Sequence, residues 1–135
     1  MLWSSRPINA KAFDYFSVLK KVRDYFEINY FEPISLKKAA SIAGLEEKYF
    51  SKIFRTHVGV GFKEWTDFIR IQKAIDAMQS EDQSLTTVAF SVGFQSSTTF
   101  QRQFKKYVRM RPRDFRRALL SNFRSTENPV LVISG

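Results

Sequence analysis

Residues 84–117, SLTTVAFSVGFQSSTTFQRQFKKYVRMRPRDFRR, read as two short helices joined at a glycine, with a third helix beginning at their end. Ser84 is placed to cap the first, because its hydroxyl can accept from an orphan amide of the opening turn. Leu85, Val88, Ala89 and Val92 then recur at helical spacing. Gly93 supplies a residue that tolerates positive φ, so the chain can turn sharply there. A second cap is expected at Ser96–Ser97. Beyond it Phe100, Phe104 and Tyr107 form an inward stripe, while Thr98, Thr99, Gln101, Arg102, Lys105 and Lys106 face outward. A small residue on the first helix, a glycine turn and a polar, basic second helix predict a helix-turn-helix. That unit lays its second helix in the DNA major groove. The charge sharpens the reading. Residues 102–117 carry Arg102, Lys105, Lys106, Arg109, Arg111, Arg113, Arg116 and Arg117 against one acid, Asp114.

The same pattern occurs earlier. Ser35 caps a helix whose apolar or small positions are Leu36, Ala39, Ala40 and Ala43. Gly44 supplies the turn, and Leu45, Phe50, Ile53 and Phe54 line the inside of the next helix. Glu46, Glu47, Lys48, Tyr49, Ser51, Lys52 and Arg55 occupy its outer face, with Gly59 and Gly61 closing it. Ala40 and Gly44 recur 49 residues later as Ala89 and Gly93. Phe50, Phe54 and Val58 recur 50 residues later as Phe100, Phe104 and Val108. The one-residue slip falls near the cap of the second helix, where an insertion costs least. Glu46 and Glu47 would repel phosphate, so they are assigned to the helix N-terminus, where negative charge is favoured.

Between the copies, residues 62–79 form a helix apolar on a wide face through Trp65, Phe68, Ile69, Ala74, Ile75 and Met78. Eighteen residues at about 1.5 Å rise span about 27 Å. With its flanking turns, such a helix is long enough to set two recognition helices about 34 Å apart, one helical repeat of DNA. Upstream, Phe16, Leu19, Val22 and Phe26 mark one face of a helix from Phe13 to about Tyr30, and Pro33 prevents its continuation. Downstream, Pro112 fits the first position of a last helix, packed through Phe115, Ala118 and Leu119. Residues 1–12 read as a loose arm. Residues 121–135, with the β-branched run Val130–Ile133, form a tail of different character.

Composition narrows the function classes. The 135 residues include no Cys, which removes disulfides, thiolate metal sites and cysteine nucleophiles and fits a reducing cytoplasm. The single histidine, His57, sits near a helix end and is assigned to capping or the surface. No paired carboxylates, phosphate loop or metal-ligand spacing appears, so no catalytic residue, cofactor, metal or small-molecule ligand is expected. The net charge of +9 favours a polyanion, nucleic acid first and an anionic membrane surface second. No run approaches the roughly 18 apolar residues of a membrane span, and the N-terminus lacks a signal-peptide pattern. A cytoplasmic location follows as an expectation. Two alternatives stay open: an architectural DNA binder without sequence preference, and a basic membrane-surface protein.

With these residues in place, the second unit resembles the signature of AraC/XylS-type transcriptional regulators. Its elements are an alanine-containing helix, Gly-Phe, Phe-x3-Phe-Lys-x-Tyr and Pro-x2-Phe/Tyr-Arg. They fall here at Ala89, Gly93-Phe94, Phe100, Phe104-Lys105, Tyr107, Pro112 and Phe115-Arg116. The first unit and linker agree, with Arg70 and Ala74 in the family's places, and the resemblance covers about Asp14 to Leu120. It implies an all-α fold of about seven helices, with two helix-turn-helix subdomains (about 35–58 and 84–108) joined by a linker helix (about 62–79). A terminal helix at about 112–120 completes a DNA-binding domain over 13–120. It also implies sequence-specific binding near promoters, most often activation through RNA polymerase. Lys48, Ser51 and Lys52 in the first unit, and Ser97, Thr98 and Arg102 in the second, are its implied base readers.

Chemistry adds detail to that list. Arg102 can fork onto guanine O6 and N7, and Gln101 suits adenine. Lys37, Lys38, Arg55, Lys105, Lys106, Arg109, Arg111 and Arg113 are candidate phosphate contacts, which fix register rather than sequence. Two tandem units make a monomer competent for an asymmetric site. Two departures from the family pattern stand out: Arg109 replaces the glycine many members carry after the second recognition helix, and no sensor domain is expected before Phe13. The chain thus resembles the short single-domain members, or a fragment of a longer regulator.

Overall fold

The computed structural model describes residues 8–80 and 82–125, and every regular element in them is helical. The order is α1 (Ala12–Tyr15), α2 (Ser17–Asn29), α3 (Leu36–Ala43), α4 (Glu47–Val58), α5 (Phe62–Ala77), α6 (Leu85–Ser91), α7 (Ser97–Val108) and α8 (Pro112–Ser125). The chain divides into two compact units, residues 6–69 and a second built from residue 70 onward. The helix α5 begins in the first and ends in the second.

The core of the first unit is aromatic. Phe13, Phe26, Phe50, Phe54, Phe62 and Trp65 are buried together with Leu19, Val22, Ala39, Ala40 and Val58. The Phe54 ring meets Phe62 and Phe13 edge-on at 5.5 and 6.0 Å, geometries that suit the aromatic quadrupole. In the second unit Val88, Ala89, Val92, Phe94, Phe100, Phe104, Tyr107, Phe115 and Leu119 are buried with Ile71, Ala74, Ile75 and Met78. The expected apolar stripes of α4 and α7 are therefore the core, although Leu45 and Ile53 are only half-buried. Ala118, expected to pack, is exposed. The rings of Phe104 and Phe115, 5.5 Å apart, join α7 to α8 without it.

The N-terminal segment departs from the sequence reading in two ways. One continuous helix is expected from Phe13. Instead Phe16 takes an extended conformation (φ −114°, ψ 111°) and divides α1 from α2. The break sends two neighbouring rings to different partners, Phe13 to Trp65 (5.3 Å) and Phe16 to His57 (4.2 Å). A straight helix would stack both on one face. Residues 8–12 are also docked rather than loose. The Asn9 backbone N–H donates to Val58 O (2.8 Å) and its side-chain amide to His57 O (3.2 Å). These are last-turn carbonyls of α4, which have no partner inside their own helix. Residues 1–7 and the Val130–Ile133 run lie outside the described residues. The last helix α8 continues to Ser125, past the expected end near residue 120.

Candidate nucleic-acid interface

The two helix pairs α3–α4 and α6–α7 are built from the same local bonds. Ser35 and Ser84 accept from the N–H three residues on, at Lys38 (3.0 Å) and Thr87 (3.1 Å). At each turn a backbone N–H reaches back five residues to an alanine carbonyl, Leu45 to Ala40 and Phe94 to Ala89, both at 3.0 Å. That bond, with Gly44 at φ 72° and Gly93 at φ 110°, closes the first helix of each pair. A Cβ at Gly44 would meet nothing within 4 Å, so only its left-handed backbone calls for glycine.

The recognition helices start and stop in register. Glu46 Oε1 accepts from Tyr49 N–H (3.0 Å) and Ser96 Oγ from Thr99 N–H (3.1 Å), caps 50 residues apart. The Glu46 carboxylate is thus a helix cap, as its position suggests. The extra residue of the second copy lies in its longer turn, Gly93–Ser96, where the first copy runs Gly44–Glu46. At the far ends, Gly59 and Arg109 occupy equivalent left-handed positions, with N–H bonds to Arg55 O (3.0 Å) and Lys105 O (2.9 Å).

Arg109, at φ 69°, is the non-glycine residue with positive φ among the described residues. A side chain in that region carries strain of order 1 kcal/mol. Arg109→Gly is therefore expected to stabilise the fold by about 0.5–1 kcal/mol, read as a raised urea midpoint with an unchanged m value. No change or a fall would mean the guanidinium makes compensating contacts.

The equal caps fix which side chains correspond. Lys48, Ser51, Lys52 and Arg55 on α4 match Thr98, Gln101, Arg102 and Lys105 on α7. Lys48, Lys52, Arg55, Thr98, Gln101, Arg102, Lys105 and Lys106 are exposed, opposite the buried Phe50–Phe54 and Phe100–Phe104 stripes. Ser51 and Ser97 are half-buried. The Gln101 amide donates to Ser97 Oγ (3.2 Å), so these two are joined one turn apart. Tyr49, 56% exposed, belongs to the same outer face as Lys48 and Lys52.

The phosphate candidates divide by their surroundings. Lys37, Lys38, Arg109, Arg111 and Arg113 are exposed. Lys38 Nζ lies over the Tyr25 ring (5.6 Å) and Lys106 Nζ over Tyr107 (5.3 Å). The Arg55 guanidinium lies against the backbone at Gly61, so close that a Cβ there would come within 2.7 Å of it. Arg111 Nε donates to Asp114 Oδ2 at 2.8 Å. The Arg111 bond holds the Asp114 carboxyl below its ordinary range despite some desolvation, so this pairing persists above the usual carboxylate range and is lost as pH falls through the lowered value.

Arg116 is half-buried and its guanidinium is committed to backbone carbonyls. Its guanidinium donates to Gln83 O (2.7 Å), Met78 O (3.3 Å) and Ser80 O, clasping the end of α5 and the loop into α6. Arg117, unassigned by the sequence reading, is exposed one helical turn beyond Arg113, a spacing that was visible in the sequence. His57 is half-buried under Phe16. Among the described residues no group of His, Asp and Glu is arranged to hold a metal ion, and no helix is long and apolar enough to cross a membrane.

Two capped, registered helix pairs with exposed polar and basic second helices define a tandem helix-turn-helix protein. Residues 39–118 match a family model described as a helix-turn-helix domain, and the chain belongs to the AraC-type family of DNA-binding helix-turn-helix transcription regulators, which are not enzymes. An uncharacterized HTH-type transcriptional regulator of Staphylococcus aureus (strain MSSA476) is 32% identical over 98 residues, covering 73% of this chain and 13% of that protein. The regulatory protein PocR of Salmonella typhimurium is 27% identical over 106 residues, covering 78% of this chain and 35% of its own length. The chain thus spans only a small part of these curated relatives. Among solved structures, the DNA-binding domain of AdpA in complex with a target DNA has a TM-score of 0.74 at 20% identity, covering 79% of this chain and 96% of that one. An AraC-type regulator from Chromobacterium violaceum has a TM-score of 0.71 at 20% identity, covering 83% and 96%. At that identity the likeness establishes the all-α fold.

Proposed function

We propose that this chain binds double-stranded DNA sequence-specifically as a cytoplasmic monomer, setting α4 and α7 into successive major grooves, and that it activates transcription in contact with RNA polymerase. One observation carries the reading: two helices with identical cap spacing present Lys48 and Lys52, and Thr98 and Arg102, at equivalent exposed positions. Recognition helices read bases from their N-terminal halves, where these side chains stand. The solved AdpA complex supports DNA as the ligand.

In this reading Arg102 makes the forked guanine contact and Lys52 a less directional one at the equivalent position. Lys48, Ser51, Ser97, Thr98 and Gln101 complete the base-facing set. Lys37, Lys38, Arg55, Lys105, Lys106, Arg109, Arg111 and Arg113 meet phosphates. If about six phosphates are engaged, log K falls against log salt with a slope near −5.

Selection of bound fragments from a random library, followed by footprinting, tests the reading. Two protected major-groove patches about one turn apart are expected. One short patch, or binding fully competed by unrelated DNA, would overturn it in favour of an architectural binder. On the selected site Arg102→Ala should cost about 1–3 kcal/mol and relax one base position, whereas Lys106→Ala should weaken all sequences alike. Equal loss from Arg102→Ala on scrambled DNA would remove it from the base readers.

A further inference from the structure

We infer that Tyr49 is a further sequence-reading residue of the first unit, its ring packing on the C5-methyl group of a thymine in the major groove. The inference rests on the DNA-binding reading above. It adds an apolar contact to a base-facing set otherwise made of hydrogen-bonding side chains.

Tyr49 is the third residue of α4, one turn before Lys52, in the N-terminal half from which a recognition helix reads bases. Its side chain is 56% exposed, whereas Phe50 beside it is fully buried. Among the described residues its ring has no aromatic partner and its hydroxyl no hydrogen bond. The corresponding residue of the second copy, Thr99, serves its own helix. It is half-buried, and its hydroxyl accepts from Ser96 Oγ at 3.0 Å. The repeat keeps the position and changes what stands there: a hydroxyl bound to the cap in α7, a ring facing solvent in α4.

A tyrosine at a DNA surface can meet a phosphate through its hydroxyl or a base through its ring. Local charge decides for the base. The Tyr49 N–H donates to the Glu46 carboxylate (3.0 Å), so the helix-start amide that would attract a phosphate is already taken. Glu47 brings a second carboxylate to the same turn, against one cation, Lys48. An anionic oxygen brought here is repelled, whereas a methyl group is uncharged. In the major groove thymine is the base that presents one. Cytosine lacks it, as does deoxyuridine, so a ring contact separates thymine from both.

The test uses the full chain and the site selected from the random library. Each thymine of that site is replaced in turn by deoxyuridine, which removes the methyl group and leaves the pairing edge intact. Affinities of the unsubstituted chain, Tyr49→Ala and Tyr49→Phe are read by anisotropy of a fluorescein-labelled duplex. At one position deoxyuridine is expected to weaken the unsubstituted chain about fourfold, the contribution of one buried methyl group. The same replacement should change the affinity of Tyr49→Ala by less than about 1.5-fold, because the two losses belong to one contact. On the thymine duplex Tyr49→Ala should lose at least about fivefold. Tyr49→Phe should stay within about twofold of the unsubstituted chain, since no hydroxyl bond is lost. Thermal midpoints should be unchanged in both variants, because the side chain is exposed and outside the core.

A site without thymine, or a deoxyuridine loss that Tyr49→Ala shows in full, would overturn the inference and leave the proposed function standing. Equal losses from Tyr49→Phe and Tyr49→Ala, on selected and scrambled DNA alike, would make the hydroxyl a phosphate contact and overturn it too. Unaltered binding by Tyr49→Ala would do the same. A chain that selects no site would remove both.

Discussion

Phe54→Ala is expected to destabilise the protein by about 3–5 kcal/mol, the range for deleting a fully buried aromatic ring. The ring is 0% exposed and stands at the centre of the first unit's aromatic cluster. Its centroid lies 5.5 Å from Phe62, 5.6 Å from Trp65, 5.7 Å from Phe50 and 6.0 Å from Phe13. These four rings come from α1, α4 and α5. None can collapse into the cavity without leaving its own neighbours, so little of the lost contact is recovered. The loss is a large part of the roughly 5–15 kcal/mol by which a domain is stable. Urea unfolding monitored by circular dichroism is the measurement, with Phe54→Leu as a control expected to cost clearly less. A loss below about 1 kcal/mol for alanine would show that the ring is not enclosed.

Arg116→Ala is expected to cost about 2–3 kcal/mol of stability, with little effect on the salt dependence of DNA binding. Three backbone carbonyls, at Met78, Ser80 and Gln83, accept from this one guanidinium. Those of Met78 and Ser80 follow the C-terminus of α5, where a cation is also favoured by the helix dipole. Each such bond to a charged donor contributes on the order of 1.5–3 kcal/mol when sheltered. The side chain is only half-buried, so water replaces part of that. Arg116→Lys should recover less than half, because an ammonium lacks the planar fork that serves divergent acceptors. The checks are a drop in Tm of roughly 10 °C for alanine and an unchanged log K–log salt slope for both variants. A slope reduced by about 0.9 with unaltered Tm would instead make Arg116 a phosphate contact.

The contrast between Arg116 and its neighbours marks where sequence reading stops. In the stretch 102–117 every basic residue looks alike, and the periodicity of α8 does not separate Arg116 from Arg113 or Arg117. The separation comes from carbonyls 33 to 38 residues away. The outward-facing positions were more legible, because Lys52 and Arg102 sit two residues before buried Phe54 and Phe104 in both copies. Their correspondence follows from the repeat alone.

What the sequence by itself determined is the order and register of the helices from α3 to the start of α8. Ser35, Ser84, Ser96, Gly44 and Gly93 act on amides or carbonyls within five residues of themselves, and Pro112 acts through its own fixed φ, so their effect needs no tertiary partner. Tertiary structure alone decided the break at Phe16, the docking of Asn9 on the end of α4, the inward turn of Arg116 and the exposure of Ala118. Each depends on which distant surface was left to be satisfied: a ring at His57, two orphan carbonyls at positions 57 and 58, the carbonyls beyond α5, and a core already filled by Phe115 and Leu119. Local signals carry no information about such partners, because hydrogen bonding and packing across 30 or more residues are decided only when the chain has closed on itself.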